Sequence, residues 1–116
     1  MKKTITLLLA GNPYYPSNVR TAVSIGEVAL ARGHRVNVFA YADAVDNFVE
    51  GQGIAQLRGG LQRLIEIGAR VDLCGTCLKF CAVDKEKILP GAHPSSMKNL
   101  IEMMKESDVV ISLSRH

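Results

Sequence analysis

All three cysteines of this chain fall within eight consecutive positions, Cys74-Gly75-Thr76-Cys77-Leu78-Lys79-Phe80-Cys81. A thiol is valuable in chemistry because its thiolate is both a strong soft nucleophile and a soft metal ligand. The cluster directly follows Ala69-Arg70-Val71-Asp72-Leu73, a short apolar stretch that reads as the end of a strand. Cys74 then sits at the strand end and Cys77 three residues on, and the segment Leu78 to Val83 is predicted to turn helical. The amino end of a helix carries partial positive charge and unpaired N–H groups, which favour a thiolate, and Lys79 adds to that effect. Such an arrangement suits a thiol that attacks, or carries, another sulfur atom. The plain alternative is three small buried hydrophobes, since free cysteine is often core.

Other chemistries are open to the same residues. Cys-x2-Cys is half of a zinc site, and Cys-x2-Cys-x3-Cys is a fragment of an iron–sulfur ligand set. Either needs a fourth ligand, from His93 or from another subunit. A thioredoxin-type redox pair fits locally, as a strand followed by Cys-x-x-Cys at a helix start. The rest of the chain lacks the antiparallel finish and turn proline of that fold.

Outside the cysteines, the loop Gly11-Asn12-Pro13-Tyr14-Tyr15-Pro16-Ser17-Asn18 lies where a nucleotide fingerprint would follow the first strand. Neither Gly-x-Gly-x-x-Gly nor Gly-x4-Gly-Lys-Ser/Thr is present, so phosphate binding has little support. Its prolines and tyrosines suggest a stiff wall around a site or a subunit contact. Asn12 in this loop, Lys79 and His93 are the candidate substrate-binding residues. His93 acts as a base or ligand only if its Pro-Gly-Ala-His-Pro loop folds back over the cysteines; otherwise it is a solvated loop histidine. Asp43, Asp46, Asp72 and Asp84 show no pairing pattern for acid–base work. Met97, Met103 and Met104 fit a helix packing face.

Length and composition bound the rest. A chain of 116 residues with 47% hydrophobic and 22% charged residues suits one globular domain over 1–116. A net charge of +3, with basic residues scattered and few aromatics, gives no nucleic-acid footprint. The apolar start Thr4 to Ala10 is too short for a signal peptide and runs into Gly11-Asn12-Pro13, so a buried first strand is expected. No run is long enough for a membrane span. Three cysteines, an odd number in one loop, do not make the disulfide framework of a secreted scaffold, so a cytoplasmic, reduced protein is expected.

The elements that must place the thiols follow from periodicity. Thr4–Ala10 reads as a strand covered on both faces. Ser17 opens a helix carrying Val19, Ala22, Val23, Ile25, Gly26, Ala29 and Leu30, and Gly33 closes it. Val36–Tyr41 is a second strand, and Asp43 or Asp46 starts a short helical turn. Ile54, Leu57, Leu61, Leu64 and Ile65 mark a helix ending at Gly68, before the third strand, Val71 to Leu73. Leu89–Pro94 reads as a loop. Ser95 or Ser96 caps a helix with Leu100, Ile101, Met103 and Met104, and Asp108–Leu113 is the last strand. Strands alternating with helices predict an α/β domain, three-layer α/β/α, Rossmann-like or flavodoxin-like, with a mostly parallel sheet of four or five strands. Sites in such sheets lie beyond the carboxyl ends of the strands, which selects the loops after Ala10, Tyr41 and Leu73.

Over essentially its whole length the chain resembles the DsrE/DsrF-like family, which includes sulfur-relay proteins of the DsrE and TusD type and a small homo-oligomeric YchN-like branch. The resemblance rests on the Gly/Asn/Pro loop after the first strand, the Gly-His-Arg-Val-Asn-Val-Phe second strand, and Gly68-Ala69-Arg70-Val71-Asp72-Leu73-Cys74-Gly75-Thr76-Cys77. Ser96-Met97-Lys98-Asn99-Leu100 and the ending Ser107-Asp108-Val109-Val110-Ile111-Ser112 add to it. The strand-Cys-Gly-Thr-Cys segment is the most specific part. The resemblance implies that Cys74 accepts a sulfane sulfur as a persulfide and passes it on, while Cys77 matches a second cysteine of the YchN-like branch. It further implies no cofactor, sulfur donor and acceptor proteins as partners, and a trimer or hexamer. Where the family often continues Arg-Gly-Ile, this chain has Cys81-Ala82-Val83. That departure removes an arginine, adds a third thiol, and leaves open a simple carrier, a dithiol redox protein or a metal binder.

Overall fold

The computed structural model describes residues 2–10, 17–51 and 55–114. Along the chain run β1 (Thr4–Leu9), α1 (Ser17–Ala31), β2 (Arg35–Ala40), a 3-10 segment (Ala42–Phe48), α2 (Ala55–Glu66), β3 (Arg70–Cys74) and α3 (Gly75–Phe80). A 3-10 turn (Lys85–Lys87), β4 (Ala92–Ser95), α4 (Met97–Glu106) and β5 (Val109–Leu113) complete it. The sheet has five strands in the order β4-β3-β2-β1-β5. Every strand pairing in it is parallel. The α/β architecture expected from the alternating pattern is therefore present, with the upper of the two strand counts.

Strand alternation divides the residues between the two faces of the sheet. Leu7, Leu9, Val36, Val38, Ala40, Val71 and Leu73 join Val19, Ala22 and Ala29 of α1 and Leu61 and Leu64 of α2 in one hydrophobic cluster. Two glycines let these helices approach: a Cβ on Gly26 would lie 3.0 Å from Leu64, and one on Gly60 would lie 3.3 Å from Val23. Gly33, at φ +84°, ends α1 in the left-handed conformation, with His34 N–H donating back to Ala29 O.

The opposite face is partly polar. Thr6 and Ser107 are joined through their hydroxyls, and Asn37 donates to Thr6. Phe39 and Met103 are buried. The carboxylate of Asp72, only 3% exposed, accepts from Arg70 and from Ser95 Oγ at 2.8 Å. Asn99 of α4 in turn donates to Ser95 Oγ. These bonds tie α4 and the edge strand β4 to the centre of the sheet.

Three expectations need correction. The stretch read as a loop around His93 contains β4, a four-residue edge strand with Pro94 inside it. Proline lacks the N–H a central strand must donate, so this sequence can only pair at an edge and carries no strand pattern. The helix after the cysteines is Gly75–Phe80 and not Leu78–Val83, which puts Cys77 inside it. Of the three methionines, Met103 packs inward, while Met97 and Met104 are exposed. At the caps, Ser96 rather than Ser95 starts α4, its Oγ accepting from Asn99 N–H.

Candidate functional site

β3 delivers Cys74 to the carboxyl edge of the sheet, and α3 begins at the next residue. The start is tight because Cys74 pairs with Ser95 across to β4. A Cβ on Gly75 would lie 3.0 Å from Ser95 O, so glycine is what lets the chain turn there. The Cys74 side chain takes the place a serine or aspartate usually occupies before a helix: its Sγ accepts from Cys77 N–H at 3.4 Å.

Cys77 lies in the first turn of α3 and points toward the loop after β2. Its Sγ accepts the backbone N–H of Ala42 at 3.1 Å. Ala42 has φ +53°, a left-handed conformation that costs a non-glycine residue about 1–2 kcal/mol. Two of the three loops selected at the strand ends, those after β2 and β3, thus meet at this sulfur. The third, after Ala10, includes Asn12, which lies outside the described residues; Asn18 at its far end donates to Ala10 O at 3.0 Å.

Cys81 follows α3 as its C-cap, with its N–H donating to Cys77 O. It opens on a polar cavity of about 290 Å³ whose lining includes Asp46, Glu50, Asp84 and Lys87. All three thiols are free and half-buried.

The electrostatics differ from the expectation of a thiol cluster activated by a helix end and Lys79. Burial pushes the Cys77 thiol up from its ordinary value. Its hydrogen bond with the Cys74 side chain, the Cys74 charge and Asp43 act in the same direction, while the Ala42 N–H opposes them. Cys81 is pushed up by burial, then by Asp46, Asp43 and Cys77. The carboxyl of Asp46 is itself raised by burial and by Asp43. Besides the neighbouring cysteines, the charged groups acting on these two thiols are carboxylates of the 3-10 segment, which fold back on α3 from more than thirty residues away. Lys79 is exposed in the last turn of α3 and is not among those groups.

Asp43 and Asp46 show no pairing pattern in the sequence, and nothing in their spacing marks them as neighbours of the thiols. Their one signal is position, in a loop beyond the end of β2. His93 is exposed on β4, opposite Asp72 in register and two residues before Ser95. Among the described residues no group of three or more His, Cys, Asp or Glu side chains is placed to hold a metal ion. Among them, too, no helix is long and apolar enough to cross a membrane.

The model of the DsrE/DsrF-like family matches residues 3–113, and the chain belongs to that family. It is 33% identical over 110 residues to the uncharacterized protein MK0008 of Methanopyrus kandleri, covering 92% of this chain and 91% of that one. It is 31% identical over 110 residues to the uncharacterized protein MJ0989 of Methanocaldococcus jannaschii, covering 92% and 96%. Among solved structures, the YchN protein from E. coli superposes with a TM-score of 0.80 at 21% identity, over 97% of this chain and 99% of that one. MTH1491 from Methanobacterium thermoautotrophicum gives 0.79 at 18% identity, over 95% and 98%. These two likenesses establish the shared fold.

Proposed function

We propose that this protein is a sulfur carrier, in which Cys74 accepts sulfane sulfur as a persulfide and passes it on. In the first step the Cys74 thiolate attacks the terminal sulfur of a donor persulfide. The donor's S–S bond breaks, its thiolate leaves, and Cys74–S–SH forms. An acceptor thiolate then attacks the outer sulfur and Cys74 leaves as thiolate. Alternatively Cys77 attacks Cys74 Sγ. That route releases hydrosulfide and a proton and leaves a Cys74–Cys77 disulfide: the sulfane atom is reduced and the two thiols are oxidised.

The observation that carries this reading is the arrangement around Cys74. Its sulfur sits at a strand end, accepts the Cys77 N–H, and has the Cys77 thiol as a hydrogen-bonded neighbour. Burial pushes the Cys77 thiol up, which disfavours its thiolate and suits it to a resolving role after Cys74 has taken up sulfur. Family membership supports the same chemistry. Lys79 and His93 are exposed, and this reading gives them the role of contacting the donor.

The reading places the whole chain in one domain, working in a reducing compartment of the cell, with sulfur donor and acceptor proteins as partners. It also includes assembly into a trimer or hexamer. The exposed apolar side chains of Met97, Ile101 and Met104 along α4, with Val109 and Val110 of β5, support self-association. Light scattering on the purified protein measures the subunit number.

The test of the carrier function is incubation of reduced protein with a polysulfide, followed by desalting and intact mass measurement. A persulfide adds about 32 Da per sulfur. The adduct is expected in wild type and in Cys81→Ser and is expected to be lost in Cys74→Ser. Its retention in Cys74→Ser would refute the assignment.

A further inference from the structure

The third thiol lies beyond what a carrier with a single resolving cysteine requires. Cys81 sits one helical turn after Cys77 and donates its backbone N–H to Cys77 O at 2.9 Å. Residues one turn apart in a helix have Cα atoms roughly 6 Å apart, inside the range a disulfide can span. α3 ends at Phe80, and the chain turns immediately through Ala82 at φ +52°. The last turn can therefore adjust without unwinding a long helix. Both sulfurs pack against the same hydrophobic cluster, and Cys81 alone of the three opens on the 290 Å³ cavity.

We propose that Cys81 is a second resolving thiol. After Cys77 has closed a disulfide onto Cys74, Cys81 attacks Cys77 Sγ, and the oxidised cluster rests as Cys77–Cys81 with Cys74 free for another sulfur atom. This rests on the reading of Cys74 as the sulfur acceptor.

The exchange is balanced within the chain. The Cys74–Cys77 bond breaks, the Cys77–Cys81 bond forms, and no net electrons move. The Cys81 proton leaves through the cavity, and a proton is available to the released Cys74 thiolate. The direction follows from the surroundings. The exchange consumes a thiol whose charged form is disfavoured by burial and then by Asp46 and Asp43, and it frees a sulfur already supplied with an N–H donor. A stored dithiol then lets one chain reduce one sulfane atom and still present an unblocked acceptor. Only the later return of Cys77–Cys81 to thiols needs an external dithiol reductant.

Trypsin makes the two disulfides distinguishable. Cys74 and Cys77 share the peptide Val71–Lys79, whereas Cys81 lies in Phe80–Lys85. One arm treats reduced wild-type protein with a polysulfide; a second treats it with diamide, which forms disulfides without supplying sulfur. Both are alkylated, digested without reduction and sequenced by mass spectrometry. The expected product in both arms is a cross-link of the two peptides through Cys77 and Cys81, with Cys74 alkylated directly in the diamide arm and directly or as its persulfide in the polysulfide arm. It should exceed the internal Cys74–Cys77 form by about tenfold or more, equivalent to about 30 mV between the two disulfides. Cys81→Ser is expected to accumulate the internal form and lose Cys74 alkylation. An internal disulfide with free Cys81 in diamide-treated wild type, or a Cys74–Cys81 link, overturns the proposal. A Cys77–Cys81 link with diamide but no sulfur uptake from polysulfide keeps Cys77–Cys81 as the resting disulfide and removes the carrier reading.

Discussion

The sulfur of Cys77 is held by the backbone N–H of Ala42, 3.1 Å away and 35 residues earlier in the chain. The bond joins the ends of β2 and β3 and places a donor on the middle thiol of the cluster. It depends on a backbone conformation that alanine adopts at a cost. Ala42→Gly keeps the N–H and releases the strain, so the variant is expected to be as stable or up to about 1 kcal/mol more stable in urea titration. Its Cys77 alkylation profile should match wild type. A loss of stability beyond that size would show that the Ala42 methyl group, not its amide, matters.

A pH profile reports on the carboxylates around Cys77 and Cys81. Cys77 and Cys81 are both raised above the ordinary 9.0. The stability this contributes is present below 9.0 and is lost as pH rises through the folded-state values. Iodoacetamide labelling of both is expected to be slow at neutral pH and to accelerate only above pH 9 or so. Asp46→Asn removes the leading charged contributor at Cys81 and is expected to speed its labelling at pH 8 roughly two- to fivefold. Unchanged Cys81 labelling in Asp46→Asn would contradict this electrostatic picture.

Most of the layout was legible in the chain. β1, α1, β2, α2 and β3 announce themselves through apolar periodicity, and Gly33 and Gly68 mark helix ends by the turn they permit. β4 was not, because His93-Pro94 at a sheet edge looks like loop when only local pattern is visible. The site was legible in part. The Cys74–Cys81 cluster stands out by composition, and the Gly75 turn can be guessed. The meeting of Ala42 with Cys77, and of Asp46 with Cys81, arises only when the 3-10 segment packs on α3. Alanine gives no hint of a left-handed backbone, so the key amide was invisible before folding.

The Gly75 turn has no room for a side chain. Gly75→Ala drives a methyl against Ser95 O, and backbone must move to admit it. The expected loss is about 1–3 kcal/mol in chemical denaturation, with slower sulfur uptake at Cys74 because its pairing with β4 shifts. Wild-type stability and uptake in this variant would mean that the β3–α3 turn is loose.

Asp72 anchors the same edge from below. It is buried and held by Arg70 and Ser95, so Asp72→Ala leaves the Arg70 guanidinium and Ser95 Oγ without their acceptor and opens a gap beside β4. A loss of about 2–4 kcal/mol is expected, with Asp72→Asn intermediate. Faster hydrogen exchange confined to β4 and the start of α4 would locate the effect; a stable Asp72→Ala would remove this residue from the account.

The carrier function is met most directly by finding where sulfur resides. Reduced wild-type protein, loaded with one equivalent of polysulfide sulfur, quenched with iodoacetamide within seconds and digested with trypsin, yields the peptide Val71–Lys79 for fragmentation. The account predicts an alkylated persulfide on Cys74. The same adduct on Cys77 or Cys81 with unmodified Cys74, or sulfur on none of them, would contradict it.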